Sequence, residues 1–349
     1  MRSSRKMDHV QYALQTGQSG NQGLSDVKLV PNCLPDASTE SVALYTTIGE
    51  LKLSSPIVVN AMTGGADETE AINRELAVAA RERGLAMAVG SQMAAIRDPR
   101  NESSYKVVRQ VNPGGLVFAN LGSEANVEQA ERAVNMLQAD AFQIHLNVMQ
   151  ELIMPEGDRN FHGMLGRIQR IVEALQVPVI VKEVGFGIPR ENAAALREAG
   201  VQILDVGGSG GTNFAAIENA RREVPLSWLN EWGMPTGVTL LEALQVFPKG
   251  SVMATGGIRT SEDIVKALVL GASAAGMAGL LLKVLQEEGT AALIERIDEL
   301  HEGITLMMTA LGANRIEELW KRPAVITGSM AQWCAARGID LTEYGTERK

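Results

Sequence analysis

The stretch 141-AFQIHLNVMQELIMPE-156 contains the pattern that decides the fold. It begins as an apolar run in which polar side chains recur at every second position: Gln143, His145 and Asn147. A strand places such residues on one face, where two amides and an imidazole are costly to bury without polar partners. Gln150 and Glu151 follow where the strand should end. Polar residues that gather at the carboxyl end of a strand are typical of the catalytic mouth of a (β/α)8 barrel.

The alternative for any single one of these residues is a satisfied buried polar network. Five of them together at one strand end favour a functional site instead, because a core does not need so many polar groups in one place.

Eight short apolar runs follow one another from residue 56 onward. They are IVVNAM (57–62), LAMAVG (85–90), LVFANL (116–121), AFQIHLN (141–147), VPVIVKEV (177–184), ILDVGG (203–208), SVMATGG (251–257) and AAGMAG (274–279). Runs that are apolar nearly throughout predict strands covered on both faces, and helical segments separate most of them. We therefore predict an α/β fold, a (β/α)8 TIM barrel. An open doubly wound sheet is the competing interpretation, although no GxGxxG follows the first run.

The segments on either side of the barrel are assigned by composition. Residues 1–55 are predicted to form a basic arm and short strand-like pieces at 27–30 and 42–45, and residues 56–349 to form the barrel with its C-terminal helices. Thr260 and Asp263 form a capping box that should begin a helix. Helices at about 288–311 and 316–320 should cover the outside of the barrel.

The composition excludes several functional classes. The chain has 349 residues, a net charge of −9 and no Lys/Arg block, so nucleic acid is not expected as a partner. The uncharged stretch 267–282 is shorter than a membrane span and is broken by glycines, so no membrane association is expected. The N-terminus lacks an apolar signal segment, and Cys33 and Cys334 match neither a disulfide framework nor a metal site. A cytoplasmic location is the simple inference.

The ends of the later strands predict a phosphate-bearing cofactor. Glycine-rich stretches follow the sixth and seventh strands, GGSGGTN at 207–213 and GGIR at 256–259, and Ala278-Gly279 ends the eighth. In barrels these loops and a short helix N-terminus form the usual phosphate site. Lys182 lies among valines in the fifth strand, which indicates an anionic or electron-rich partner, or else an internal ion pair with Glu183 or Asp205.

Together these motifs resemble the type 2 isopentenyl diphosphate isomerases. The resemblance runs from Arg5 to about Leu311 and rests on NAMTGG (60–65), SQM (91–93), HLNVMQE (145–151), KEVGFG (182–187), GGTNF (210–214) and ATGGIR (254–259). HLNVMQE and KEVGFG are the more specific elements, because the glycine motifs occur in other FMN barrels. The resemblance implies interconversion of isopentenyl and dimethylallyl diphosphate by a 1,3-proton shift. It also implies FMN in its reduced form, NADPH or NADH as the reductant, Mg2+, and a tetramer or octamer.

The resemblance also implies roles for individual residues. The FMN site would comprise Met62, Thr63, Gly64, Ser91, Asn120, Lys182, Thr212, Gly257, Ile258, Arg259, Ala278 and Gly279. The substrate site would comprise Arg5, Lys6, His9, Ser91, Gln92, Met93, Asn147 and Gln150. His145 and Gln150 would be the catalytic side chains, with Gln150 positioning the substrate or relaying a proton, and Glu151 would hold Mg2+. A carboxylate beside an amide face suits Mg2+ bound to a diphosphate.

Three other functions fit parts of the pattern. A net-redox FMN barrel, such as a 2-hydroxy-acid oxidase, would reduce its flavin with the organic substrate. Chemistry like that of inosine monophosphate dehydrogenase needs a loop cysteine nucleophile, and neither cysteine lies in a strand-end loop. A flavin-bound redox sensor would not need the polar set around Glu151.

Overall fold

The computed structural model describes residues 20–348. The strands are β1 (Val27–Leu29), β2 (Thr46–Ile48), β3 (Leu51–Leu53), β4 (Ile57–Val59), β5 (Ala86–Ala88), β6 (Val117–Gly122), β7 (Ala141–Leu146), β8 (Val179–Glu183), β9 (Ile203–Asp205), β10 (Val252–Thr255), β11 (Ala274–Met277) and β12 (Ala324–Ile326). The helices are α1 (Asp67–Arg83), α2 (Met93–Arg97), α3 (Ser103–Val111), α4 (Val127–Leu137), α5 (Val148–Ile153), α6 (Met164–Ala174), α7 (Arg190–Glu198), α8 (Phe214–Ala220), α9 (Thr236–Leu244), α10 (Ser261–Leu270), α11 (Gly279–Leu311), α12 (Ile316–Leu319) and α13 (Gly328–Ala336).

Strands β4 to β11 form a closed parallel barrel in chain order. The closing pair is β4 with β11, where Ile57 lies opposite Ala275 and Val59 opposite Met277. This pair decides between the two folds that the sequence left open, because an open sheet would leave both strands at edges. The prediction of a (β/α)8 barrel is confirmed, and all eight apolar runs contain a strand.

The interior of the barrel is apolar at its amino end. The hairpin β2–β3 places Ile48, Leu51 and Leu53 in one buried cluster with inward side chains of the barrel strands, Phe118 and Ile180 among them. The hairpin therefore closes the barrel at the end opposite the predicted mouth. The prediction of a strand at 42–45 was wrong: Ala43 makes a single bridge with Arg315, and pairing starts at Thr46, where alternate burial matches the hairpin.

The next inward layer of the barrel is polar. Because side chains alternate along a strand, the positions two residues after the apolar layer also point inward. These positions hold the buried or half-buried residues Asn60, Asn120, Gln143, Lys182, Asp205 and Thr255. A layer of this composition lies directly below the carboxyl ends of the strands, where barrels carry their sites.

The terminal segments pack on the outside of the barrel. Strand β1 pairs with β12 in an antiparallel ribbon, with Val27 opposite Ile326. Helix α10 begins with the predicted capping box of Thr260 and Asp263. Helix α11 has a break at Gly289, where φ is 88°, so it combines a short helix after β11 with the outer helix predicted at about 288–311. None of the helices within residues 20–348 combines the length and apolarity that a membrane crossing requires. A division of the chain at residue 55 stays a prediction.

Candidate active site

A continuous hydrogen-bond network crosses the polar layer. The Nδ1 atom of His145 lies 2.9 Å from Asn120 Oδ1, and Asn120 Nδ2 donates to Gln143 Oε1 at 3.1 Å. Gln143 Nε2 donates to Asn60 Oδ1 at 3.2 Å, and Asn60 Nδ2 donates to Asp205 Oδ2 at 2.6 Å. Gln143 and His145 on the polar face predicted on β7 therefore find partners in Asn120 on β6 and in Asn60 at the end of β4. A satisfied buried network and a candidate site at the strand ends are therefore compatible, because the same side chains contribute to both.

Burial keeps His145 in its neutral form. Removal from water, then the charge of Lys182, lowers the pKa of this imidazole to about 3, while the Leu121 carbonyl acts in the opposite direction. His145 nevertheless lies at the carboxyl end of β7, where the residue is half-buried. His145 is thus an uncharged hydrogen-bonding group at the mouth and does not supply a positive charge there.

Lys182 lies 6% exposed at the end of β8. Its Nζ atom donates to the carbonyl oxygen of Glu183 at 2.6 Å. Among the ion pairs within residues 20–348, none joins Lys182 to a carboxylate, so the internal ion pair with Glu183 or Asp205 does not form. A buried ammonium held by one carbonyl has donors left for a ligand.

The Glu183 carboxylate is turned toward the backbone of the next loop. Its Oε2 atom accepts hydrogen bonds from the N–H groups of Val184, Gly185 and Phe186 at 2.6, 2.8 and 2.5 Å. Burial nevertheless raises the pKa of Glu183 to about 7, against these donors and Lys182. The carboxylate thus orders the KEVGFG loop.

The raised pKa predicts that stability falls with pH. The folded protein holds the Glu183 proton up to about pH 7, whereas the unfolded chain loses it near pH 4.5. The folded state binds more protons in this window, so the free energy of unfolding decreases by about 3 kcal/mol as pH rises through it. Urea unfolding at pH 5 and pH 8 should show a smaller decrease for Glu183→Gln than for wild type. Glu198→Gln, an exposed change on α7, should retain the full decrease; equal slopes in all three proteins would contradict the prediction.

The start of α5 presents an amide and a carboxylate side by side. Asn147 Nδ2 donates to Glu151 Oε1 at 2.9 Å, and the Asp158 N–H donates to Glu151 Oε2 at 2.8 Å. Each carboxylate oxygen keeps a further lone pair. Within residues 20–348, no group of three His, Cys, Asp or Glu side chains could hold a metal on its own. Glu151 can therefore serve as one protein ligand of an ion that a substrate also binds.

Gln150 has a charged partner that the sequence did not reveal. Its Nε2 atom donates to Glu218 Oε1 at 3.0 Å, and both side chains are buried. Glu218 is fully buried on α8, where Arg221 also contacts it. The available signal was a carboxylate one turn into the helix that follows the GGTN stretch. Gln150 must donate to this carboxylate, so its carbonyl oxygen is the end that remains for a ligand.

An apolar wall lies beside these polar groups. Met149, Val184 and Phe214 are partly buried against a cluster of Ile153, Phe186, Ala215 and Leu229. They come from α5, the loop after β8 and α8. The mouth thus joins a polar half to an apolar half.

The glycine-rich strand ends pack tightly against one another. Gly256 has φ 116° and Gly257 has φ 71°, and a Cβ on Gly257 would lie 2.4 Å from the Gly210 backbone. Glycine is therefore required there. Arg259 donates to the Gly210 carbonyl, and its own N–H is held by Asp263 Oδ2 at 3.0 Å. Helix α11 begins at Gly279, directly after β11, and β11 pairs with β10. The predicted phosphate residues therefore lie at the ends of neighbouring strands.

Two buried polar atoms mark a place for a further group. Thr63 Oγ1 and Arg259 Nε are buried and have no hydrogen-bond partner among residues 20–348. Buried polar atoms are nearly always paired in folded proteins. Both atoms belong to the set that the resemblance assigns to FMN, and Arg259 also donates to the Gly210 carbonyl among the glycine-rich strand ends. These residues therefore fit a phosphorylated polar cofactor.

Thr63→Val should preserve or raise the stability of the protein without cofactor and should lower its affinity for FMN. The change removes an unpaired buried hydroxyl. The free energy of unfolding of the protein without cofactor should therefore stay the same or rise by up to about 1 kcal/mol. FMN affinity should fall about five-fold through loss of one hydrogen bond. Urea unfolding and titration of FMN fluorescence measure the two effects. Thr69→Val is the matched control, because its hydroxyl already donates to the Ala66 carbonyl at 2.6 Å: it should lose stability and keep FMN affinity. Unchanged FMN binding in Thr63→Val would contradict the assignment.

Some predicted substrate residues are placed differently. Gln92 is fully buried: its Nε2 donates to the Ala133 carbonyl at 3.0 Å and its Oε1 accepts the Asn120 N–H at 2.9 Å. This side chain is turned away from the mouth and supports the end of β6. Met93 is buried at the start of α2, whereas Ser91 is half-buried. The predicted arm residues Arg5, Lys6 and His9 lie outside the described residues.

Comparison with known proteins identifies the family. Residues 116–326 match the family of FMN-dependent dehydrogenases. An isopentenyl-diphosphate delta-isomerase of a Geobacillus species is 52% identical over 98% of this chain and 99% of that protein. One from Bacillus pumilus is 51% identical over 98% of this chain and 97% of that protein. This chain belongs to the type 2 isopentenyl-diphosphate delta-isomerase family. The resemblance inferred from the motifs is confirmed.

Solved structures of more distant proteins share the fold of this isomerase family member. A lactate oxidase of Pediococcus acidilactici has a TM-score of 0.69 at 16% identity and covers 91% of this chain and 87% of its own. A mandelate oxidase variant has a TM-score of 0.66 at 18% identity, with coverage of 92% and 94%. At this identity the likeness concerns the barrel alone.

Proposed function

We propose that this chain interconverts isopentenyl and dimethylallyl diphosphate by a 1,3-proton shift, with reduced FMN and Mg2+ at the barrel mouth. The observation that carries the proposal is the arrangement of Lys182, Asn147 and Glu151 at the ends of adjacent strands β7 and β8, next to an apolar wall. The names of relatives at about half identity over nearly their full length point the same way.

The cofactor residues hold FMN by complementary means. Thr63 Oγ1 and Lys182 Nζ offer unpaired donors to polar edges of the ring, and the backbone at Gly257 and Gly279 with Arg259 takes the phosphate. When bound in its reduced form, FMN would supply the acid–base chemistry of the proton shift through N5. NADPH or NADH would provide the reducing equivalents.

The substrate residues divide between the two ends of the ligand. Glu151 would hold Mg2+ that the diphosphate also binds, and Asn147 Nδ2 fixes the orientation of that carboxylate. Arg5, Lys6 and His9 lie outside the described residues, and the resemblance implies that they add positive charge for the diphosphate. Met149, Val184 and Phe214 shield the apolar end from water. Since that end offers no polar handle, binding energy comes from the diphosphate.

Gln150 positions the reacting part of the substrate. The Glu218 carboxylate accepts from its amide nitrogen and so fixes which end of the amide faces the ligand. Neutral His145 borders the same space. Neither group is an acid strong enough to protonate an unactivated alkene, which leaves that role to the flavin.

The decisive experiment follows the product. Purified protein with bound FMN is incubated without oxygen with isopentenyl diphosphate, Mg2+ and NADPH, and dimethylallyl diphosphate is measured. Product formation with no net change of flavin redox state supports the proposal. Reduction of the flavin by (S)-lactate or (S)-mandelate, with no isomerisation, would support a 2-hydroxy-acid oxidase instead. 5-Deaza-FMN, which lacks the N5 nitrogen, should bind without supporting turnover.

We also propose that the protein forms a homo-oligomer and is located in the cytoplasm. Trp228 and Trp232 are 75% and 57% exposed on the long loop between β9 and β10, which supports a contact with another subunit. Cys33 and Cys334 are both unbonded, which supports a reducing, cytoplasmic setting.

A further inference from the structure

The hydrogen-bond network of the polar layer has one direction and ends at the carboxyl group of Asp205. Asp205 is fully buried, and its two carboxylate oxygens are bonded to Asn60 Nδ2 at 2.6 Å and to the Gly207 N–H at 3.3 Å. The Asn60 amide presents its nitrogen to Asp205 and its oxygen to the other side.

A backbone contact fixes this orientation of Asn60. The Ala61 N–H donates to Asn60 Oδ1 at 2.8 Å. The amide nitrogen of Asn60 could not accept this hydrogen bond, so the oxygen must occupy that position. The next partner, Gln143 Nε2, lies 3.2 Å from this oxygen and must donate. Gln143 is fully buried, so no water competes for the contact. Each primary amide passes the direction on, because it donates at one end and accepts at the other.

The last two links reach the imidazole. With its nitrogen toward Asn60, Gln143 offers Oε1 to Asn120 Nδ2 at 3.1 Å. Asn120 then faces His145 with Oδ1, 2.9 Å from Nδ1. A carbonyl oxygen cannot donate, so this contact is a hydrogen bond only when Nδ1 carries the proton.

We propose that Asp205, Asn60 and Gln143 are positioning residues that fix the tautomer of His145, with the proton on Nδ1 and the lone pair on Nε2. The imidazole is then an acceptor at its other nitrogen. Where the proposed function holds, Nε2 meets an N–H or O–H group of the bound cofactor or substrate and not a bare diphosphate oxygen. The tautomer can be tested without any assay of isomerisation.

The test uses the full-length protein with bound FMN and ¹⁵N-labelled histidine. Only His9, His145, His162 and His301 contribute signals, and loss of one set in His145→Asn assigns it. We expect His145 Nδ1 at a protonated, pyrrole-type shift and Nε2 at an unprotonated, pyridine-type shift near pH 7. The opposite assignment in wild type would overturn the proposal without any need for a variant.

Two changes at Gln143 separate direction from simple structural support. Gln143→Met removes the acceptor for Asn120, so Asn120 is free to turn and the ratio of Nδ1–H to Nε2–H should fall about five-fold, the value of one net hydrogen bond. Gln143→Glu keeps an acceptor toward Asn120 and should retain the wild-type tautomer. Thr46→Val is the control: it removes one buried hydrogen bond, to the Ser273 carbonyl at 3.1 Å, at the opposite end of the barrel and should leave His145 unchanged.

The outcomes distinguish this inference from the proposed function. A wild-type tautomer in a folded Gln143→Met protein would overturn the directional network, as would loss of the tautomer in Gln143→Glu. If the spectra follow the expectation but no dimethylallyl diphosphate forms, the network stands and the isomerase assignment fails. If isomerisation occurs in a protein whose His145 carries its proton on Nε2, the assignment stands and the network fails.

Discussion

Lys182→Met is expected to reduce turnover about 100- to 1000-fold while leaving the barrel folded. The substitution removes a buried cation whose Nζ donates to the Glu183 carbonyl at 2.6 Å and to no other group within residues 20–348, which leaves its other donors for the proposed cofactor. Loss of one preorganised donor at a developing charge has this magnitude in other active sites. FMN affinity should fall as well, since the proposed site assigns the same donor to binding of the resting ring.

The same change should not weaken the protein without cofactor. A buried ammonium with a single partner is costly, and methionine has a similar length without the charge. Urea unfolding of the apoprotein should therefore show equal or greater stability, and the pKa of His145 should rise because Lys182 is its second largest depressing cause. Lys266→Met is the matched control on α10, where the lysine pairs with Glu262 at 2.7 Å and should have no effect on turnover. Wild-type turnover in Lys182→Met would exclude the cofactor role.

Glu151→Gln is expected to raise the Mg2+ concentration needed for half-maximal activity by about 100-fold. The amide is nearly the same shape but lacks the charge that a hard divalent cation requires. Changes around metal ligands commonly weaken binding by 10- to 100-fold, and loss of the ligand itself belongs at the upper end. FMN content should be unchanged because, within residues 20–348, the Glu151 side chain is hydrogen-bonded only by Asn147 Nδ2 and the Asp158 N–H.

The measurement is a titration of activity with Mg2+ at fixed isopentenyl diphosphate. Glu173→Gln provides the control: this carboxylate accepts from Gln169 at 2.9 Å on exposed α6 and should not alter the titration. A variant at Glu151 with the wild-type Mg2+ dependence would remove this residue from the metal site and leave the flavin assignments standing.

The site could be predicted from sequence only where chemistry is recorded in local pattern. The polar alternation on β7 indicated His145 and Asn147, and glycine density indicated the phosphate cradle. Glu218 and Asp205 were missed as site residues, because their roles depend on partners 68 and 145 positions away. Gln92 shows the converse case. Its position at a strand end predicted a side chain at the mouth, but both ends of its amide are hydrogen-bonded to the backbone of Ala133 and Asn120.

The sequence by itself determined the strand and helix rhythm, since covered strands are apolar throughout and helix ends need their caps and glycines. It also determined that a lysine and several amides had to be buried together at strand ends. Only the tertiary structure decided that the sheet closes, because closure is the pairing of Ile57 with Ala275 across more than 200 residues. It alone decided which buried groups find partners: Lys182 meets a carbonyl and not a carboxylate, and three amides align between His145 and Asp205. Hydrogen-bond direction is a property of contacts between strands, which no single strand records.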